Sequence, residues 1–256
     1  MTTVLITGSA DGLGQEAARQ LLAAGHDVVL HGRSEERARE ALAAMPGARA
    51  AIAGELSTLA GMRAAAEQAN ALGRFDAVLH NAGVYLGPRR ETADGLERVF
   101  AVNVLAPYVL TALIARPARL VYMSSGMHEA GELRLDDLQW ERRPWDATQA
   151  YSDSKLHDVL LARAVARRWP SVRANAVDPG WVKTKMGGAG APDSVEEGAA
   201  TQAWLAASPE AAEETGGYWF RLRRQQPHPL ADDVDAQEAL LAACAELSGV
   251  ELAAGA

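Results

Sequence analysis

Apolar and polar positions fall in alternating blocks along this chain. Val4 to Thr7 is a short apolar run that stops at Gly8, and an Ala- and Leu-rich stretch with helical spacing follows from Gly12 to Ala24. The same strand, turn and helix recur. Asp27 to His31 reads as a strand and Ser34 to Ala44 as a helix, with Ser34 as N-cap, Glu35 and Glu36 suited to its positive end, and Pro46-Gly47 as its stop. Ala48 to Ala53 is a weaker strand, Ser57 to Leu72 a helix closed by Gly73, and Phe75 to His80 a strand. A helix from Thr92 to Ala115, a strand from Arg119 to Met123, a long loop, a helix from Gln149 to Trp169 and a strand from Val172 to Val177 come next. The chain closes with a helix from Val195 to Ala207, a strand from Gly217 to Leu222 and a helix from Asp235 to Leu247.

Such repetition predicts a parallel sheet buried on both faces, with right-handed crossovers placing helices on each side. The fold class is therefore α/β, a doubly wound parallel sheet, in a single domain over 1–256. Residues 185–256 are expected to add a substrate-side helix, the last strand and the last helix. The most apolar stretch, Ala101 to Ala115, contains Asn103 and Pro107 and falls short of the roughly 20 residues of a membrane span. It reads as a buried helix, either core or a contact in a homo-oligomer, and the tail from Glu251 to Ala256 is expected to fray.

Composition narrows the function classes. The 256 residues carry 25 Lys and Arg against 33 Asp and Glu, a net charge of −8, which gives a nucleic-acid backbone no broad reason to bind. Arg221, Arg223 and Arg224 make the one compact basic cluster, read as a solvated strand end. With 48% hydrophobic and 23% charged residues the chain can bury a sizeable core. Cys244 is the only cysteine, so the reading is a reducing compartment with neither disulfide nor thiolate metal site. No positive region precedes the first apolar run, as a signal peptide requires, and the expected location is the cytoplasm.

Candidate chemistry sits where strands end. Gly8, Gly12 and Gly14 occupy the first strand-to-helix turn, where the lack of side chains lets backbone approach a pyrophosphate at a helix N-terminus. The spacing departs from G-x-G-x-x-G, and glycine turns of this kind also serve methyltransferases or plain packing. Tyr151 and Lys155 lie one helical turn apart, so both project from one face. An ammonium about 4 Å from a phenol, at an effective dielectric near 20, interacts by roughly 4 kcal/mol before desolvation, which predicts a lowered Tyr151 pKa. Asn81-Ala82-Gly83, Asn103, Ser124-Ser125 and Pro179-Gly180 all fall at the C-terminal ends of predicted strands or in the helices leaving them. In an open parallel sheet that edge is where ligands bind.

Together Thr7-Gly8-Ser9-Ala10-Asp11-Gly12-Leu13-Gly14, Asn81-Ala82-Gly83, Asn103, Ser125, Tyr151-x-x-x-Lys155 and Pro179-Gly180 resemble the short-chain dehydrogenase/reductase family, with its Rossmann fold. Ser124-Ser125-Gly126-Met127-His128, Asp178 to Thr184 and Gly216 to Phe220 are most similar to its retinol-dehydrogenase and protochlorophyllide-reductase branch. The resemblance implies Tyr151 as acid/base, Ser125 orienting the substrate oxygen with Ser124 as the alternative, Lys155 on the nicotinamide ribose, and Asn103 holding a relay water. It also implies cofactor contacts from Gly8, Ser9, Asp11, Gly12, Leu13 and Gly14, from Asn81, Ala82 and Gly83, and from Pro179, Gly180, Val182 and Thr184. Glu55-Leu56 stands where the family has Asp-Leu beside the adenine.

Cofactor choice is expected after the second strand, where a carboxylate accepts from the NAD ribose and an Arg accommodates the NADP 2′-phosphate. The run His31-Gly32-Arg33-Ser34 has no acid, which favours NADP over NAD through Arg33 and Ser34, although Asp11 would repel a nearby phosphate. Tyr85, His128, Trp181 and Met186 follow motifs at the reactive edge and are candidate walls of an apolar substrate pocket. No metal-ligand spacing appears. The reading is an NADP(H)-dependent enzyme interconverting a carbonyl and an alcohol on an apolar small molecule, with a C=C reductase or a catalytically silent dinucleotide-binding regulator as alternatives.

Overall fold

The structure, a computed structural model, describes residues 1–85 and 87–254. Its strands are β1 (Thr3–Ile6), β2 (Asp27–Gly32), β3 (Ala50–Ala53), β4 (Ala77–His80), β5 (Arg119–Met123), β6 (Arg173–Asp178), β7 (Tyr218–Phe220) and β8 (Arg223–Gln225). They form one sheet in the order β3-β2-β1-β4-β5-β6-β7-β8, parallel except for β8. Strand order reverses between β1 and β4, which opens a crevice at their C-terminal ends. The predicted doubly wound α/β sheet is what forms, because Val4, Leu5 and Ile6 and their neighbours on β2 and β4 are buried on both faces.

Helices cover the two faces. One carries α1 (Gly12–Ala23), α2 (Glu35–Ala44) and α7 (Val195–Ala207), which pack Ala17, Leu21, Ala41, Ala199 and Ala203 against the sheet. The other carries α3 (Leu59–Ala71), α4 (Arg98–Phe100), α5 (Ala106–Leu113), α6 (Ala147–Arg168) and α8 (Val234–Ser248). Residues Ala106 to Thr111 of α5 are buried, so the apolar stretch is core. None of the described helices is long and apolar enough to cross a membrane.

Three predicted elements differ. The helix expected from Thr92 starts at Arg98, because the Glu97 carboxylate accepts the amides of Val99 and Phe100, both at 2.8 Å, and sets the N-terminus there. Ala101–Leu105 then form a π-helical turn leading into α5, in which the Ala106 amide donates to the Ala101 carbonyl. Pro107 has no N–H, so the Asn103 carbonyl lacks its α-helical donor.

The strand expected to run to Leu222 ends at Phe220. Arg221 and Leu222, at φ 48° and 61°, make a two-residue hairpin into β8, whose exposed arginines blunt the sheet edge.

The tail does not fray through Ala254. Val250 and Leu252 are buried, the Tyr108 hydroxyl donates to the Val250 carbonyl at 2.8 Å, and the Trp169 indole donates to the Ala253 carbonyl at 2.8 Å. The end of that predicted tail, 255–256, lies outside the described residues.

Candidate active site

The turn after β1 is built by close approach. Gly8 adopts φ 63°, a left-handed conformation, and a Cβ on Gly14 would lie 2.5 Å from Asn81 Nδ2 and 2.6 Å from the Gly8 carbonyl. Thr7 Oγ1 accepts the Asn81 and Ala82 amides, both at 3.0 Å, and Asn81 Nδ2 donates to the Thr7 carbonyl at 3.0 Å. The β1 and β4 ends are thereby locked together. His31 adds a second strut: its Nδ1 accepts the Gly8 amide at 3.1 Å and its Nε2 donates to the Gly54 carbonyl at 3.0 Å. Burial lowers its pKa to about 4, so it stays neutral.

A cleft of about 1240 Å³ runs from this turn to α6, roomier than the roughly 300–1000 Å³ of a single-ligand pocket. Gly8, Asp11, Gly12 and Leu13 line it near the turn, with Arg33, Glu55 and Leu56 from the β2 and β3 ends. Asn81, Ala82 and Gly83 follow β4, and Pro179, Gly180, Val182 and Thr184 follow β6. Sequence reasoning missed Arg37, which also lines it one turn beyond Arg33. Asp11 has its charge shared between Lys185 at 2.7 Å and Arg37 at 3.7 Å, so the repulsion expected of it is countered.

Four expected cofactor or relay residues do not line the cleft. Ser9 is buried, donating to the Ile6 carbonyl at 2.9 Å and accepting the His31 amide at 2.8 Å. Gly14 serves the helix–strand contact, and Ser34 caps α2 by accepting the Arg37 amide at 3.3 Å. The Asn103 side chain is consumed by Val84, whose amide it accepts at 2.8 Å and to whose carbonyl it donates at 3.0 Å, and by Ser154 Oγ at 2.9 Å. The Asn103 carbonyl lacks the α-helical donor that Pro107 cannot supply.

At the other end Tyr151 and Lys155 share one face of α6, with Nζ 5.5 Å from the phenol ring centroid. Ser125 lines the same wall, while the neighbouring Ser124 hydroxyl is committed to the Lys155 carbonyl at 2.8 Å. The Tyr85 ring stands edge-on to Tyr151 at 5.2 Å. Trp181, 60% exposed, and Met186 line the mouth, joined by Met127 and Phe220, which sequence reasoning did not single out. His128 is a correction. It is buried beneath the wall, where Nδ1 donates to the Ser125 carbonyl at 2.8 Å, Nε2 accepts the His228 amide at 3.1 Å, and the ring packs 4.3 Å from Tyr218.

The predicted lowering of Tyr151 is also reversed. Burial raises its pKa above the ordinary phenol value, and the Lys155 ammonium only partly offsets this. Beneath the phenol, Lys155 Nζ donates to Asp158 Oδ2 at 2.8 Å and to the Met123 carbonyl at 2.7 Å, inside the protein. Burial acts against the ammonium, and the Asp158 carboxylate and the Tyr151 phenol together more than reverse that, holding Lys155 above the ordinary amine value. Asp158 could have been found from its place three residues beyond Lys155 on one helix.

The short chain dehydrogenase family model matches residues 2–195. The chain belongs to the short-chain dehydrogenase family. It is 43% identical to short-chain dehydrogenase chry4 of Gibberella zeae over 98% of this chain and 99% of that one. It is 31% identical to human retinol dehydrogenase 13 over 97% of this chain and 85% of that one, which puts this oxidoreductase with the retinol-dehydrogenase-like branch. Among solved structures, the blue fluorescent protein from a metagenomic library, in complex with NADPH, superimposes with a TM-score of 0.68 at 27% identity, covering 85% of this chain and 94% of that one.

Proposed function

We propose that this short-chain dehydrogenase uses NADP(H) to interconvert a ketone or aldehyde with its alcohol on an apolar small molecule, with Tyr151 as the acid and base. The observation that carries the reading is the sharing of one cleft wall by the Tyr151, Lys155 and Ser125 side chains, in the cleft that begins at the glycine turn.

The residues fit a dinucleotide. Backbone at Gly8, Gly12 and Leu13 would face the pyrophosphate, since a Cβ on Gly8 would lie 2.8 Å from Ala82 Cα and only glycine lets the turn close. Leu56 and Ala82 would flank the adenine. Arg33 and Arg37 would hold the 2′-phosphate, which favours NADP over NAD, and NADPH in a related structure supports the same choice. Val182 and Thr184 would meet the carboxamide. When bound, the nicotinamide supplies or takes the hydride.

The chain's own residues handle the proton. Ser125 donates to the substrate oxygen and aligns it with Tyr151, whose hydroxyl releases its proton to that oxygen as the alcohol forms. Lys155 presents its remaining N–H to the cleft, and the Asn103 carbonyl, which lacks its α-helical donor, would hold a water that reloads Tyr151. The exposed Tyr85, Trp181 and Met186 form an apolar mouth, which excludes small hydrophilic substrates. A reducing, NADPH-supplied cytoplasm suits this chemistry.

The test follows NADPH absorbance with aldehydes, aromatic ketones and polyketide-like ketones. Turnover that Ser125→Ala largely removes supports carbonyl reduction. Activity confined to C=C bonds, or cofactor binding with no turnover across the panel, overturns it.

A further inference from the structure

The Lys155 ammonium has three N–H donors. Two are fixed beneath the cleft, on the Met123 carbonyl at 2.7 Å and on Asp158 Oδ2 at 2.8 Å. The third is left for the cleft, where Nζ comes within 3.8 Å of the position a Cβ on Gly83 would take. Lys155 and Asp158 are both buried, and Asp158 is the only carboxylate within ion-pair distance of this amine among the described residues. A carboxylate is costly to bury and here faces one cation. A neutral acceptor would have satisfied the same N–H.

We propose that Asp158 is a positioning residue for proton transfer: its carboxylate fixes the direction of the Lys155 ammonium and opposes that ammonium's pull on the Tyr151 proton, so the pair keeps its proton to higher pH. The inference rests on the reading of Tyr151 as proton donor and deepens it. A negative charge below the pair stabilises the Lys155 cation and destabilises a Tyr151 anion. Whichever group gives up the first proton, removing that charge lets the proton leave at lower pH.

Other groups face the pair from several elements. Tyr122 on β5, its phenol held well above its ordinary value by burial, bonds Thr111 on α5, which in turn bonds His80 on β4. Burial lowers His80 to about 3, so neither Tyr122 nor His80 changes charge near neutral pH. Toward the cleft, Asp178 on β6 and Tyr85 both oppose ionisation of Tyr151. None of these touches Nζ.

The experiment is Asp158→Asn, which keeps an acceptor and removes the charge. In wild type, kcat/KM for carbonyl reduction falls at high pH as the pair loses its proton. In the variant that fall is expected about one pH unit lower, the size of one buried charge acting nearby. Tyrosinate absorbance of the cofactor-free protein, taken as the difference from a matching Tyr151→Phe form, is expected to move the same way. If Asp158→Asn does not fold, Asp158→Ser removes the charge with less bulk and carries the same expectation. A profile or a titration that stays put, or moves to higher pH, overturns the proposal. Wild type without carbonyl turnover, or an active Tyr151→Phe, overturns the functional reading instead, and the titration still decides the role of Asp158.

Discussion

The Lys185 ammonium lies 2.7 Å from the Asp11 carboxylate, joining the loop after β6 to the glycine turn after β1. The pair is exposed, with the Lys185 side chain at 86%, so it adds little to stability. Its effect is on the charge a bound phosphate meets. Lys185→Ala leaves Asp11 less neutralised and is expected to weaken NADPH binding roughly fivefold at low salt, and NADH less, with an unchanged melting temperature. Fluorescence titration with both cofactors at two salt concentrations checks this, and equal losses for the two contradict it.

Arg33 and Arg37 bear on the same choice. Both line the cleft beyond β2, and the capped N-terminus of α2 lies between them. Replacing either by Ala removes a charge-assisted contact and is expected to weaken NADPH about tenfold or more while leaving NADH nearly unchanged. Dissociation constants measured for both cofactors test it. A parallel loss would remove the 2′-phosphate assignment.

Much of this was legible in the chain because the sheet announces itself through short apolar runs separated by helical spacing, and because Gly8, Tyr151 and Lys155 carry their roles in residue type. The start of α4 was not, since Glu97 acts as a cap only once Val99 and Phe100 point their amides at it. Trp181 and His128 looked alike in sequence, each following a motif, yet one stands in the mouth and the other is buried under Tyr218. The direction of the Tyr151 shift was missed for a related reason. Spacing showed the ammonium of Lys155 and not the burial of the phenol, which outweighs it.

Gly14 has no room for a methyl group, with backbone of Gly8 and Ser9 within 2.9 Å of a built Cβ. Gly14→Ala is expected to cost about 1–3 kcal/mol and to loosen the turn, because backbone on both sides must shift. Thermal denaturation and cofactor affinity should fall together. A variant as stable as wild type would mean that this contact relaxes freely.

Acid should unfold the protein early. Burial lowers His31 and His157 to about 4 and His80 to about 3, so each is neutral in the fold and takes a proton readily once exposed. Their folded pKa values lie below the unfolded value of 6.5, so this stability is complete above pH 6.5 and is lost as pH falls toward 4. Each contributes about 1.4 kcal/mol per pH unit across that window. Asp158, Glu97 and Asp178, held above their ordinary values by burial, oppose them. His26 and His128, also lowered by burial, and Glu238, held down to about 2 by Arg168 and Arg167, act in the same direction as the three histidines. Denaturant unfolding at a series of pH values checks the slope, and a flat profile below neutrality contradicts it.

The most direct test of the account is Tyr151→Phe, assayed for NADPH affinity and for carbonyl reduction side by side. The phenol hydroxyl is the only atom removed, the turn that holds the cofactor is untouched, and proton donation is worth about 100- to 10,000-fold. The account predicts an unchanged dissociation constant with turnover reduced by at least that range. A phenylalanine variant that reduces ketones at the wild-type rate would contradict it.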